Sequence, residues 1–322
     1  MKYRNFGKTG IQVSEIGHGT WAMGNMWGPT DDATSIEALL KGFELGINFV
    51  DTAWIYGNGR SEKIVASALK RWKGNQVYIA TKIPPKNMRW PASHAISVDE
   101  AFSASHIIEY TEKSLINLKR DCIDIQQLHV WSDTWMRQGD WLEGLAKLKE
   151  QGKIRWLGVS INDHEPNTAL EIVSSGIIDS VQVIYNIFDQ SPEEKLFPLC
   201  QAKGMAVIAR VPFDEGSLTG TLNPSTEFHK EDWRKRYFKG ERLVETHQKV
   251  EALKFLIRDE VETLSQAALK FCLSHPAVST VIPGMRKSKN VEENCKASDG
   301  KILSSQELQE LKKHAWLRNF YH

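Results

Sequence analysis

Short apolar runs alternate along the chain with stretches in which apolar residues recur every three or four positions. The run 47–51, INFVD, precedes 61–72, where Ile64, Val65, Ala68, Leu69 and Trp72 share one helical face. In the same way 76–82 precedes 105–119, and 122–129 precedes 140–152, whose Gly152 is placed to end a helix. Runs 154–160, 179–186, 205–210 and 278–284 continue the series, with helix-period segments at 165–176, 191–204 and 288–297. Adding 13–19 and its helix 33–46 makes eight strand-then-helix units. The runs do not alternate apolar with polar residues, which suits parallel strands covered on both faces. Eight such units predict an α/β fold, a (β/α)8 TIM barrel of about 250 residues plus insertions, rather than an open doubly wound sheet. The insertions are 83–102, 130–140 and 211–260, and the tail after 299–305 reads as a further helix. No low-complexity linker intervenes, so residues 1–322 read as a single barrel domain.

Composition changes this picture little. The 322 residues are 25% charged and 41% hydrophobic, with a formal net charge of +1. Such a balance points to neither nucleic acid nor an anionic membrane as partner. No run approaches the roughly 18 apolar residues of a membrane span, and the start lacks a signal-peptide core. Cys122, Cys200, Cys272 and Cys295 are far apart, which suggests neither a disulfide framework nor a zinc knuckle. A cytoplasmic protein without a metal is expected, as a monomer, with a homo-oligomer as the alternative.

Chemistry concentrates where strands end. On a barrel, the C-terminal strand tips surround one mouth, and active sites are built there. Consecutive tips end in Asp51, Lys82 and His129, and Tyr56 lies in the loop beyond the first. Singly, each has a plain structural use: a cap, an ion pair, a packed ring. Together they provide an acid, a lysine, a phenol and an imidazole within reach of one cavity.

This constellation resembles the aldo-keto reductase superfamily, through DTAWIYG, ATK and QLHVW in order and spacing. Further matching segments run from YRNFGKTGIQVSEIGHGTWAMG through GVSIN, VQVIYN and SLTG to VIPGMRKSKNVEEN. The resemblance implies a barrel with an N-terminal capping hairpin, long loops on its C-terminal face, and carbonyl reduction with NADPH/NADP+. Asp51, Tyr56, Lys82 and His129 would then be the catalytic residues. A phenol with a pKa near 10 is a slow acid at neutral pH. A neighbouring ammonium lowers that pKa, and a carboxylate keeps the lysine charged and oriented. Tyr56 would thus donate the proton, Lys82 would tune it, Asp51 would anchor Lys82 (and border the cofactor), and His129 would orient the carbonyl oxygen.

The cofactor positions follow from the same resemblance. GHGTWA, 17–22, satisfies G-x-G-x-x-A, but the residues after it do not open a helix, so a Rossmann site is rejected. Gly19, Thr20 and Trp21 would instead line the mouth beside the nicotinamide ribose. Ser160, Asn162 and Gln182 would hold the carboxamide, although Ile161 separates a pair that is adjacent in many relatives. Phe213, Gly216 and Ser217 fall in the segment that would run along the cofactor. Gly284, Arg286 and Lys287 at a helix start suit a phosphate, with Asn290, Glu293 and Asn294 at the adenosine end. Arg210 stands where many relatives carry a stacking aromatic ring. A planar guanidinium can stack too, and its charge is expected to disfavour oxidised cofactor unless Asp214 or Glu215 pairs with it.

Trp21, Trp27, Trp54, Trp90, Trp131 and Trp135 lie in segments expected to reach the mouth. With Tyr56 and His129 they suggest a pocket for small hydrophobic or aromatic aldehydes and ketones. Two other readings remain: a cofactor-binding scaffold similar to potassium-channel β subunits, and a lyase using Lys82 as a Schiff-base nucleophile. The second leaves Asp51 and Tyr56 without an equally specific task.

Overall fold

Eight short parallel strands form the centre of the computed structural model, which describes residues 1–25 and 27–317. They follow an antiparallel hairpin of β1 (Tyr3–Asn5) and β2 (Gln12–Ser14). In chain order they are β3 (His18–Gly19), β4 (Phe49–Asp51), β5 (Tyr78–Ile83), β6 (Ile123–Leu128), β7 (Ile154–Ser160), β8 (Ser180–Ile184), β9 (Ala206–Arg210) and β10 (Val278–Val281). Each pairs with its sequence neighbour. Parallel bridges Ile16↔Val281 and Gly19↔Gly284 close the ring between its first and last members. The expected barrel is the observed one. The run expected at 13–19 is split, however: residues 12–14 belong to the hairpin and only His18 and Gly19 enter the barrel.

The hairpin closes the barrel floor. Phe6 is fully buried and packs on Phe49 with ring centroids 5.5 Å apart, in a cluster with Ala80, Ile125, Ala206 and Ile208. Its turn fits because Gly7 has φ +53° and a Cβ there would lie 2.6 Å from the Ala206 nitrogen. A second, larger core lies outside the strands, where helices such as Arg60–Arg71 and Ala104–Leu118 lay their apolar faces. Residues 264–274, read as part of no helix from sequence, form the helix that returns the chain to β10.

Strand register places the polar tips. Gly19 pairs with Asp51, Lys82 with Gln127, Gln127 with Gly158, and Ser160 with Gln182. Gly158 is required beside this row, since a Cβ there would meet the Ser180 hydroxyl at 2.5 Å and Gln127 Cγ at 3.0 Å.

Candidate active site

Lys82 lies at the centre of the polar cluster and is fully buried. Its ammonium donates to Asp51 Oδ1 at 2.5 Å, to the Thr52 carbonyl at 2.8 Å and to the Tyr56 hydroxyl oxygen at 3.1 Å. An ammonium has three N–H donors, so these acceptors use all of them. Burial alone would lower the Lys82 pKa; Asp51 and Tyr56 outweigh it, and the net shift is upward. Asp51 is satisfied on its other oxygen by Gln182 Nε2 at 2.7 Å and Gln127 Nε2 at 3.2 Å. Gln127 was missed in the sequence. Its signal is its place two residues before His129, on the same face of β6 as alternation requires.

Tyr56 is carried by a tight loop in which Gly57 and Gly59 have φ +70° and +88°. Gly24 lets the preceding turn lean on it: a Cβ there would lie 2.5 Å from the Tyr56 carbonyl carbon. Trp21 meets the Tyr56 ring edge-on at 5.0 Å. Burial pushes the phenol pKa up, Lys82 pulls it back, and Asp51 pushes it up again, for a net rise. The lowered value expected from Lys82 alone is not found, because desolvation exceeds the effect of one nearby cation here. His129 is held well below its ordinary 6.5, by burial first and then by the charges of Lys82 and Arg210. It is therefore a neutral imidazole, packed edge-on against Tyr56 and Trp90 at 5.8 Å each.

These groups open onto a cavity of about 470 Å³, a size typical of small-molecule sites. Its aromatic lining comes from Trp21, Trp27, Trp90, Phe213, Trp233 and Tyr237. Trp54, Trp131 and Trp135 do not take part. Trp54 packs on Tyr110, while Trp131 and Trp135 are fully buried against each other and Trp131 also meets Trp141. Their placement at the mouth is corrected: beyond His129 the chain has left the strand, and its large side chains turn into the outer core. The charged excursion supplies Trp233 and Tyr237 instead. Residues 228–237 are clamped there by Arg234, which forms a bidentate pair with Asp232 and lies 4.2 Å over the Trp27 ring.

The polar lining comes from the loops after β7 and β9. Arg210 donates to Asp163 Oδ1 at 2.7 Å and to the Ile161 carbonyl at 2.8 Å. An acid does pair with it, and that acid is Asp163; Asp214 and Glu215 were the alternatives the sequence offered. Asp214 accepts from Ser217 Oγ and Tyr237 Oη, both at 2.8 Å. Glu215 is pushed up to about 8, by burial, then by Asp214 and Asp163, against the opposing pull of Arg234 and Arg210. Val211, Asp214 and Glu215 have φ of +55°, +44° and +56°. Such conformations cost non-glycine residues about 1–3 kcal/mol each and persist only where surroundings impose them. One brace is Asn186 Nδ2, which donates to the Val211 carbonyl at 2.9 Å.

The lining is compatible with a nicotinamide nucleotide. The indole N–H groups of Trp21 and Trp27 are buried without a hydrogen-bond partner among the described residues. Gln182 commits its amide nitrogen to Asp51, which leaves its carbonyl oxygen for a ligand. Gly19, Thr20, Ser160, Phe213, Gly216 and Gly284 line the cavity, and a Cβ on Gly284 would meet nothing within 4 Å. Asn162 also lines it, but its amide is spent on the Ala92 backbone and on Glu165. Arg286 is half-buried over the Trp27 ring at 5.9 Å. Lys287 and Asn290 are exposed at the start of helix Ser288–Cys295, with Glu293 half-buried and Asn294 buried further along it. None of these last five residues lines the cavity.

The chain is similar to known proteins over nearly its whole length. The family model described as "Aldo/keto reductase family" matches residues 15–315. The aldo-keto reductase YhdN of Bacillus subtilis is 32% identical over 91% of this chain and 87% of its own length. The NADH-specific methylglyoxal reductase of Escherichia coli is 30% identical, with coverage of 92% and 93%. Among solved structures, the holo form of aldo-keto reductase AKR11C1 from Bacillus halodurans superposes with a TM-score of 0.76. It shows 29% identity over 98% of this chain and 96% of that one.

Proposed function

The chain belongs to the Aldo/keto reductase family, and from that premise we propose that it reduces aldehydes and ketones to alcohols with NADPH. The observation that carries this reading is the directed bond from Lys82 to the Tyr56 oxygen. Because Lys82 is the donor, the phenolic proton is left to point elsewhere, and the cavity is lined by the same hydroxyl-bearing ring.

A reduced nicotinamide, when bound, supplies hydride to the carbonyl carbon. The chain's own residues do the rest. Tyr56 donates its proton to the carbonyl oxygen as negative charge gathers there, and the raised pKa keeps the phenol protonated until that moment. Lys82 then stabilises the phenolate left behind, while Asp51, Gln127 and Gln182 hold the lysine in place. His129, kept neutral, hydrogen-bonds the same oxygen and fixes its approach. The aromatic lining excludes water and favours hydrophobic or aromatic carbonyl compounds. Ser160, Gln182 and Arg210 would hold the nicotinamide end, Phe213, Gly216 and Ser217 the middle, and Arg286 and Lys287 the 2′-phosphate that separates NADPH from NADH. Ser217 does not line the cavity and donates its hydroxyl to Asp214, so it would act by shaping the wall beside Gly216.

The test is loss of NADPH absorbance with aromatic and aliphatic aldehydes, repeated with NADH, for wild type and Tyr56→Phe. We expect turnover with NADPH to exceed that with NADH, and Tyr56→Phe to lose about 10²–10⁴-fold in rate while still binding cofactor. Cofactor binding without turnover in wild type would instead support the scaffold reading.

A further inference from the structure

His164 and Asp189 form a second pair of titratable side chains in the cavity wall, used by none of the steps above. His164 Nδ1 lies 2.7 Å from Asp189 Oδ2, and the two side chains are 9% and 3% exposed. Asp189 is fixed on every side. Its Oδ1 accepts from the Ser191 N–H at 3.1 Å and the Ser191 hydroxyl at 2.6 Å, and its own N–H donates to Asn186 Oδ1 at 3.0 Å. His164 has φ +60°, a left-handed conformation that a histidine adopts only occasionally. Backbone and carboxylate together lock the ring where it lines the cavity.

The carboxylate accepts from Nδ1–H, so it selects the tautomer in which Nε2 carries the lone pair. Among the described residues no hydrogen bond engages Nε2. Other polar side chains of the lining bond elsewhere: Arg210 to Asp163, Asp214 to Ser217 and Tyr237, Asn162 to Ala92. We propose that His164 is a specificity-determining residue whose Nε2 accepts a hydrogen bond from a substrate hydroxyl. The preferred substrates are then carbonyl compounds that carry a hydroxyl group on an otherwise apolar or aromatic frame. This rests on the reductase reading and narrows it.

Benzaldehyde and matched hydroxy- and methoxybenzaldehydes test the proposal. Wild type should favour the hydroxy over the methoxy compound by about tenfold in kcat/KM, carried by KM, the worth of about one hydrogen bond to a donor. In Asp189→Asn the Ser191 donors hold the new amide's carbonyl oxygen, so its NH2 faces Nδ1 and moves the imidazole proton to Nε2. That variant should shift the preference towards the methoxy compound. His164→Asn keeps Asp189 partnered and tolerates the left-handed backbone; it should erase the preference and leave benzaldehyde unaffected. Quenching of tryptophan fluorescence by the corresponding benzyl alcohols repeats the comparison without turnover, so a failure of the reductase reading is told apart from a failure here. Equal affinity for hydroxyl and methoxyl ligands in wild type overturns the proposal. So does a preference that survives in both variants, or a loss of NADPH affinity in His164→Asn with the preference intact.

Discussion

The strand-tip cluster and the loop after β9 both line one cavity, yet they are built in opposite ways. At the strand tips, charge and hydrogen bonding balance almost completely: Lys82 uses three donors, and Asp51 accepts on both oxygens. Backbone there is ordinary parallel sheet, and register alone sets the neighbours. In the loop, three non-glycine residues adopt left-handed conformations and two adjacent carboxyl groups, Asp214 and Glu215, share the wall. The first region suits the proposed proton transfer, which must be the same for every substrate. The second holds strain and unbalanced charge, which suits binding that changes with ligand and pH.

The sharpest way to break the comparison is to unbalance the balanced region. Lys82→Met leaves Asp51 buried with only neutral donors, and breaking such a pair costs about 3–5 kcal/mol of stability. Turnover should fall by at least about 10²-fold, since Tyr56, the proposed proton donor, also loses its partner. The double variant Asp51→Asn with Lys82→Met removes both charges and should regain most of the stability in urea unfolding, with no recovery of turnover. Recovery of both together would mean that the pair serves folding alone.

A smaller effect is expected where one ion pair spans the two regions' border. Asp163 neutralises Arg210 at the cavity wall. Removing that carboxylate in Asp163→Asn exposes a cation to the proposed nicotinamide end and should disfavour NADP+ relative to NADPH. Roughly a fivefold change in the affinity ratio corresponds to about 1 kcal/mol, the scale of a charge interaction in a partly wet site. Arg210→Tyr should move the ratio the other way, because it leaves the Asp163 carboxylate uncompensated at the same wall. Identical ratios in all three proteins would remove Arg210 from any role in cofactor discrimination.

The same contrast explains what could be read from sequence. Asp51, Lys82 and His129 close apolar runs of parallel-strand type, so their convergence follows once eight units are counted. Tyr56 follows Asp51 by a short loop and is drawn in with it. Gln127 was legible by alternation but hidden beside Gln126, which faces the other way. Asp163, His164 and Glu215 sit on loops whose path depends on left-handed residues and distant braces such as Asn186, and no local pattern announces these. Trp131 and Trp135 were misplaced for a related reason, since nothing in a loop's composition says whether its side chains turn towards the mouth or into the outer core.

Glu215 offers the mildest test. Its pKa of about 8 is raised by burial and by Asp214 and Asp163, with Arg234 and Arg210 opposing. As pH rises through that value the side chain gains a negative charge at a wall proposed to run beside an anionic cofactor. NADPH affinity should therefore fall a few-fold from below to above about pH 8, and Glu215→Gln should flatten the change. Stability has a different signature, and its sign follows from a pKa raised on folding. The neutral carboxyl contributes in full below its unfolded value, about 4.3. That contribution declines as pH rises from there to about 8 and is constant above. Glu215→Gln should thus gain stability relative to wild type across that window and keep the gain at higher pH. Titration of NADPH affinity by fluorescence, beside urea unfolding at the same pH values, separates the two. A wild-type affinity that is flat through about pH 8 would show that Glu215 faces away from the cofactor, and the loop's strain would then have to serve something other than phosphate binding.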